Sequence, residues 1–250
     1  MFAPAMYFHL VKESEQRIMD SVNYSETVTE LQSVLGENFV SFISYGANSL
    51  AHTIKKTDAD NVLVVVSNID SHILLEFKKL YKKMVKRLNV EPLFLTKDTI
   101  LTSADIFPIE FLSIKDDYTV HFGKDIFQEF NIEFKNLRLQ CELNIKGKLI
   151  VLRQAYLNGA SEESLIKESF SLFLNTFNNI YRLKESRLPS NVDELFIGLE
   201  RILKLDCSVF RELFRQISTK KLNRKELPSL FSSYLEQLTK LTQIVDVLVL

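Results

Sequence analysis

Apolar positions follow two regimes along the chain. Before about residue 123, short runs dense in β-branched and aromatic residues alternate with stretches of helical spacing; after about Ile132 the spacing is helical nearly to the end. Asn61 to Val66, NVLVVV, is almost wholly apolar and β-branched, which predicts a strand buried on both faces. Phe39 to Tyr45 predicts a second strand, ended by Gly46. Pro92–Leu95, Ile109–Ile114 within FPIEFLSI, and Thr119–Phe122 read as further strands. Between them the periodicity predicts helices. One covers 10–20, with Leu10, Ile18 and Met19 as its apolar points. Ser25 caps another that carries Val28, Leu31, Val34 and Leu35, with Gly36 just past its end. A strong helix is capped by Asp70 or Ser71 and turns Ile73, Phe77, Leu80, Tyr81 and Met84 inward. Short helices follow Ser49, through His52, and Thr96, through Leu101.

The second regime predicts a bundle. Leu137, Cys141, Leu143 or Ile145, Leu149, Leu152 and Tyr156 approximate one inward stripe, with Gly159 at its end. Ser161 opens a phenylalanine-rich helix that carries Phe170, Phe173 and Phe177. Asn191 and Asp206 cap the next two helices. A last helix from about Ser229 carries Leu230, Tyr234, Leu238, Leu241 and Ile244. The expected class is α+β: a mixed sheet with flanking helices over 1–130, then an all-helical bundle domain over 131–250.

Composition narrows the function. The 250 residues are 46% hydrophobic with a formal net charge of −1, so a core is expected and a globally basic nucleic-acid footprint is excluded. Two distant cysteines, Cys141 and Cys207, argue against a disulfide framework or a zinc knuckle and for a reducing compartment. The first residues lack a signal-peptide pattern, and no apolar run is long enough to span a bilayer. A cytoplasmic protein with no membrane partner is expected.

Candidate chemistry gathers at the NVLVVV strand. Asp58 and Asp60 stand at its mouth, and residues two apart on a strand share a face. Glu110 is an acid within an otherwise apolar run, where burial is costly without compensation. Three acids on adjacent strands would raise one another's pKa values, and a hard divalent cation reverses that cost. The turn at Gly46 and the start of the following helix would offer backbone N–H groups to phosphate oxygens. The plainer readings are a solvated turn at Asp58 and Asp60 and an ordinary ion pair at Glu110.

An apolar strand, a glycine turn, about a dozen residues, Asp-x-Asp at a strand and a later acid flanked by apolar residues together resemble the signature of the nucleotidyltransferase (DNA polymerase beta-like) superfamily. The resemblance covers roughly residues 25–130 and is carried by Gly46, Asp58, Asp60 and Glu110. FPIEFLSIKDDYTVHFGKDIF also resembles stand-alone bacterial nucleotidyltransferases, which often carry a helical bundle after the catalytic domain. The resemblance implies a two-metal Mg²⁺ site at Asp58, Asp60 and Glu110. It implies a nucleotide-binding side at Gly46, Ala47 and Ser49. The reaction would pass a nucleoside monophosphate from an NTP to a hydroxyl on a small molecule, protein or RNA end. The chain departs from the pattern at Ala47, where the family has a serine that touches the triphosphate, and Ser49 is offset from that position by two. The alternative is a non-catalytic binding protein on a degenerate nucleotidyltransferase fold.

Other signals carry less. Lys78, Lys79, Lys82, Lys83, Lys86 and Arg87 make one basic helix face, which ordinarily is only solvated. His9, His52, His72 and His121 lack metal-ligand spacing, and the helical half contains no histidine, which excludes an Arg-x4–6-His ribonuclease motif there. That half would form one wall of a cleft or a homodimer interface.

Overall fold

The computed structural model describes residues 24–46, 61–89, 91–128 and 130–248. The helices expected over 10–20 and after Ser49 lie outside the described residues. The chain divides into two compact units. Described residues up to 102, together with 114–130, form the first; 103–113 and 131–248 form the second.

The first unit is built on a four-stranded mixed sheet. Its strands are β1 (Phe39–Tyr45), β2 (Asn61–Val66), β3 (Leu93–Thr96) and β4 (Tyr118–Gly123), in the order β3-β2-β1-β4. β1 runs antiparallel to both β2 and β4, and β2 runs parallel to β3. Val62 through Val66 are all fully buried, so β2 is covered on both faces as its unbroken apolar run requires. On one face Val62, Val64 and Val66 join Phe42 in a core with helix α1 (residues 24–35) and helix α2 (Ser71–Leu88). α1 gives Tyr24, Leu31 and Leu35 to this core, whereas Val34 stays exposed. α2 gives Phe77, Leu80 and Met84.

Local chemistry sets the ends of these elements. Asp70 Oδ1 accepts from Ile73 N at 2.9 Å and caps α2. Gly36 follows α1 with φ +54°, a conformation that favours glycine. The short helix α3 (Lys97–Thr102) follows β3, with Thr96 Oγ1 accepting from Thr99 N at 2.9 Å. Gly123 ends β4 at φ +81°, and a Cβ there would stand 1.9 Å from the Val40 carbonyl oxygen. Only glycine lets β4 approach β1 this closely.

Residues 109–114 are not a strand. Pro108–Asp116 form an α-helix, α4. Pro108 opens it, a position where the missing N–H costs nothing and the fixed φ suits the helix. Ile109, Phe111 and Ile114 are buried and Glu110 is exposed.

The second unit continues with α5 (Phe134–Leu157), α6 (Glu162–Glu185), α7 (Val192–Leu203), α8 (Ser208–Ser218) and α9 (Leu227–Asp246). α6 packs against all four of the others. Its Phe173 and Phe177, with Phe210 of α8 and Tyr234 of α9, make a fully buried aromatic centre, Phe177 and Phe210 lying 4.9 Å apart between ring centroids. Ser161 and Asn191 cap α6 and α7 through side-chain oxygens. On α5, Ile145 is the buried alternative and Leu143 is exposed; Tyr156 is partly exposed as well. On α9, Phe231 and Val245 are buried beside Tyr234, Leu238 and Leu241, while Leu230 and Ile244 are only half-buried. No helix among the described residues is long and apolar enough to cross a membrane.

Candidate functional site

β1 and β2 finish and start at the same end of the sheet. Tyr45 pairs with Asn61 on one side and with Tyr118 on the other. Gly46 follows at φ +84°, and its N–H donates to Asp117 O at 2.8 Å. That bond uses the Gly46 amide within the sheet. The glycine therefore contributes a left-handed turn and an absent side chain, not its own N–H. Residues 47–60 connect Gly46 to Asn61 and lie outside the described residues. Ala47, Ser49, Asp58 and Asp60 fall among them. In sequence, Asp60 directly precedes the first residue of β2.

Polar side chains line β4 beside β1. Ser44 Oγ lies 2.8 Å from His121 Nε2, and Tyr24 packs on the imidazole with ring centroids 4.5 Å apart. Burial holds the His121 pKa below its ordinary value, which keeps the ring neutral at neutral pH. Tyr118 Oη donates to Asp125 Oδ2 at 2.9 Å. Burial, then the Asp125 carboxylate, push the Tyr118 hydroxyl pKa upward. Burial alone does the same for Tyr45.

Glu110 sits on α4 in the helical unit, at the end of a short relay. Gln140 Oε1 accepts from Ile109 N at 2.7 Å, and Gln140 Nε2 donates to Glu110 Oε2 at 2.5 Å. The buried glutamine satisfies an N–H of the first helical turn and fixes the acid beside it. Lys148 is half-buried nearby, with Nζ donating to Leu172 O at 3.1 Å and to Thr176 Oγ1 at 3.4 Å. Burial draws the Lys148 pKa down, and the charge of Glu110 partly opposes it. Sequence reasoning missed Gln140 and its role. Its one signal was position 140, next to Cys141 on the inward stripe.

The other basic residues of α5 have local partners. Lys146 Nζ donates to Glu142 Oε1 and Asp246 Oδ1, each at 2.7 Å. Arg138 reaches Glu142 Oε2 at 3.1 Å, and Arg153 reaches Thr239 Oγ1 at 2.7 Å. On the basic face of α2, Lys83 and Arg87 both bind Glu30 of α1, leaving Lys78, Lys79, Lys82 and Lys86 exposed. Burial pushes both thiols, Cys141 and Cys207, up to about 12, so neither serves as a nucleophile at neutral pH. Among the described residues no group of three or more His, Cys, Asp or Glu side chains is arranged to hold a metal ion.

No protein-family model matches the chain, and no curated protein matches it in sequence. Among solved structures it is similar to spectinomycin adenyltransferase from Enterococcus faecialis, determined with ATP and spectinomycin. The match has a TM-score of 0.50 at 13% identity and covers 88% of this chain and 99% of that one. The fold is therefore nucleotidyltransferase-like, a mixed sheet with flanking helices followed by a helical part.

Proposed function

We propose that this protein is a nucleotidyltransferase that passes a nucleoside monophosphate from an NTP to a hydroxyl acceptor. One observation carries the reading: the strand pair β1–β2 of a nucleotidyltransferase-like fold is joined by the segment that holds the Asp-x-Asp pair, after a glycine with positive φ. The structural neighbour was determined with ATP, which supports a nucleoside triphosphate as the donor.

In this reading Asp58, Asp60 and Glu110 hold Mg²⁺. The donor set is all carboxylate oxygen, which suits a hard cation. Glu110 fits such a role because it is exposed and Gln140 engages its Oε2, leaving Oε1 for another partner. When bound, the metal would neutralise phosphate charge and activate the acceptor hydroxyl. Glu110 would take the hydroxyl proton; the acceptor oxygen bonds to the α-phosphorus as the bond to the β-phosphate oxygen breaks and pyrophosphate leaves. Gly46 lets the triphosphate approach the end of β1 without a side chain in the way.

A second reading has its own support. Ala47 removes the hydroxyl that the family pattern places after the glycine, and the Gly46 N–H is already bonded. Both favour weakened nucleotide affinity, as in a protein that keeps the fold for binding alone. Thermal melting separates the two. An NTP with Mg²⁺ should raise the melting temperature, and the combined Asp58→Asn and Asp60→Asn substitutions should abolish that rise. No shift with any of the four NTPs sinks the nucleotidyltransferase reading.

A further inference from the structure

Helix α5 carries an apolar stripe that nothing among the described residues covers. Leu139 is 59% exposed, Leu143 69%, Ile150 66% and Leu157 78%. The spacings of four, seven and seven residues place all four on one narrow face, opposite the buried face of Leu137, Cys141, Ile145 and Leu152. Val151 extends the stripe on its flank. Together these side chains expose roughly 500–600 Å² of apolar surface, at the upper limit for a monomer and most of the ~800 Å² per partner that a standard interface buries.

Gly147 lies near the middle of the stripe. A glycine inside a long helix weakens it relative to alanine, so its presence calls for a reason. Nothing among the described residues supplies one, because a Cβ built at Gly147 meets no atom within 4 Å. Gly198 of α7 is the contrast: its missing Cβ makes room for the Tyr181 ring. A small residue at the centre of an exposed apolar stripe is what close approach of a second helix requires.

The halfway point between Leu139 and Leu157 falls next to Gly147. A stripe centred on its own glycine matches itself when a copy is turned end to end, as a two-fold axis requires. Lys146 and Arg153, which border the stripe, are bonded to Asp246 and Thr239 of α9. We infer that α5 is the interface of a two-fold homodimer, in which two copies cross antiparallel at Gly147 and bury Leu139, Leu143, Ile150 and Leu157 against each other. The inference is independent of nucleotide transfer, because none of these residues belongs to the proposed site.

Sedimentation equilibrium on the full chain tests it. The expected mass at micromolar concentration is twice the 29.0 kDa of one chain. Leu143→Glu combined with Ile150→Glu changes only exposed positions. It should weaken the dimer by about a hundredfold or more while leaving the helical circular dichroism unchanged. Gly147→Cys gives a second readout, since residues at a two-fold axis meet their own copies and both native cysteines are buried. Mild oxidation should cross-link this variant and leave an exposed control, Ser190→Cys, monomeric on a denaturing gel. A protein that stays monomeric throughout overturns the inference, including one that instead floats with anionic lipid vesicles. So does a dimer that the double glutamate variant does not weaken.

Discussion

Gln140 holds Glu110 and the start of α4 at once: its Nε2 donates to Glu110 Oε2 at 2.5 Å while its Oε1 accepts from Ile109 N at 2.7 Å. The two ends of one amide thus fix a candidate site acid and satisfy a helix N–H. Gln140→Leu keeps the volume and removes both bonds. It should cost about 1–3 kcal/mol, because the Ile109 N–H loses its partner in a buried setting. Glu110→Ala, at an exposed position, should stay within about 0.5 kcal/mol. Urea unfolding of both variants checks the order. Equal losses would show that the glutamine serves only the carboxylate.

Gly198 sits inside α7, where alanine would ordinarily add up to ~1 kcal/mol of stability. Here a Cβ would lie 2.3 Å from Tyr181 Cε2 and 2.7 Å from its Cδ2. The ring cannot swing aside freely, since Tyr181 is buried and its hydroxyl donates to Glu194 Oε1 at 3.0 Å. Gly198→Ala should therefore lose roughly 1–3 kcal/mol through overpacking. A gain in the denaturation midpoint would contradict this account of the glycine.

Glu194 predicts part of the acid limb of stability. Arg187 beside it, then the Ser190 N–H at 2.6 Å and the Tyr181 hydroxyl, hold its pKa at about 2 against an ordinary 4.5. A folded-state pKa below the unfolded one contributes stability that is complete above the unfolded value and is lost as pH falls through the folded value. That contribution should disappear between about pH 4.5 and pH 2. Glu194→Gln should lower the melting temperature at pH 7 and flatten its fall across that window. Parallel curves for the variant and the parent protein would rule out this group as a source of the acid dependence.

Much of the fold was written locally. Asp70, Ser161 and Asn191 cap the helices their positions predict, because a side-chain oxygen meeting an orphan N–H needs only the next few residues. β1 and β2 were legible because runs of β-branched and aromatic residues suit a buried strand and little else. FPIEFLSI was not legible in this way. A short apolar run bounded by a proline fits strand or helix equally well by pattern. The choice went to a helix whose first turn has its Ile109 N–H bonded by Gln140, thirty-one residues further on. A separation of thirty residues likewise hid the partner of Glu110.

By itself, then, the sequence determined the class, a mixed sheet with flanking helices followed by a helical part, together with the caps at Asp70, Ser161 and Asn191, the two central strands and the glycine turn that precedes the acid pair; Asp206 and Ser25 do not cap their helices, Cys207 standing at the N-cap of α8 and Ser25 lying inside α1. These depend on side-chain shape and on bonds within a turn or two of the chain. Tertiary structure decided the strand order β3-β2-β1-β4, the helical state of 108–116, the choice of Ile145 over Leu143 for the core, and the use of the Gly46 N–H by Asp117. Each of these turns on which distant group occupies the space or the hydrogen bond. Local periodicity holds no record of that.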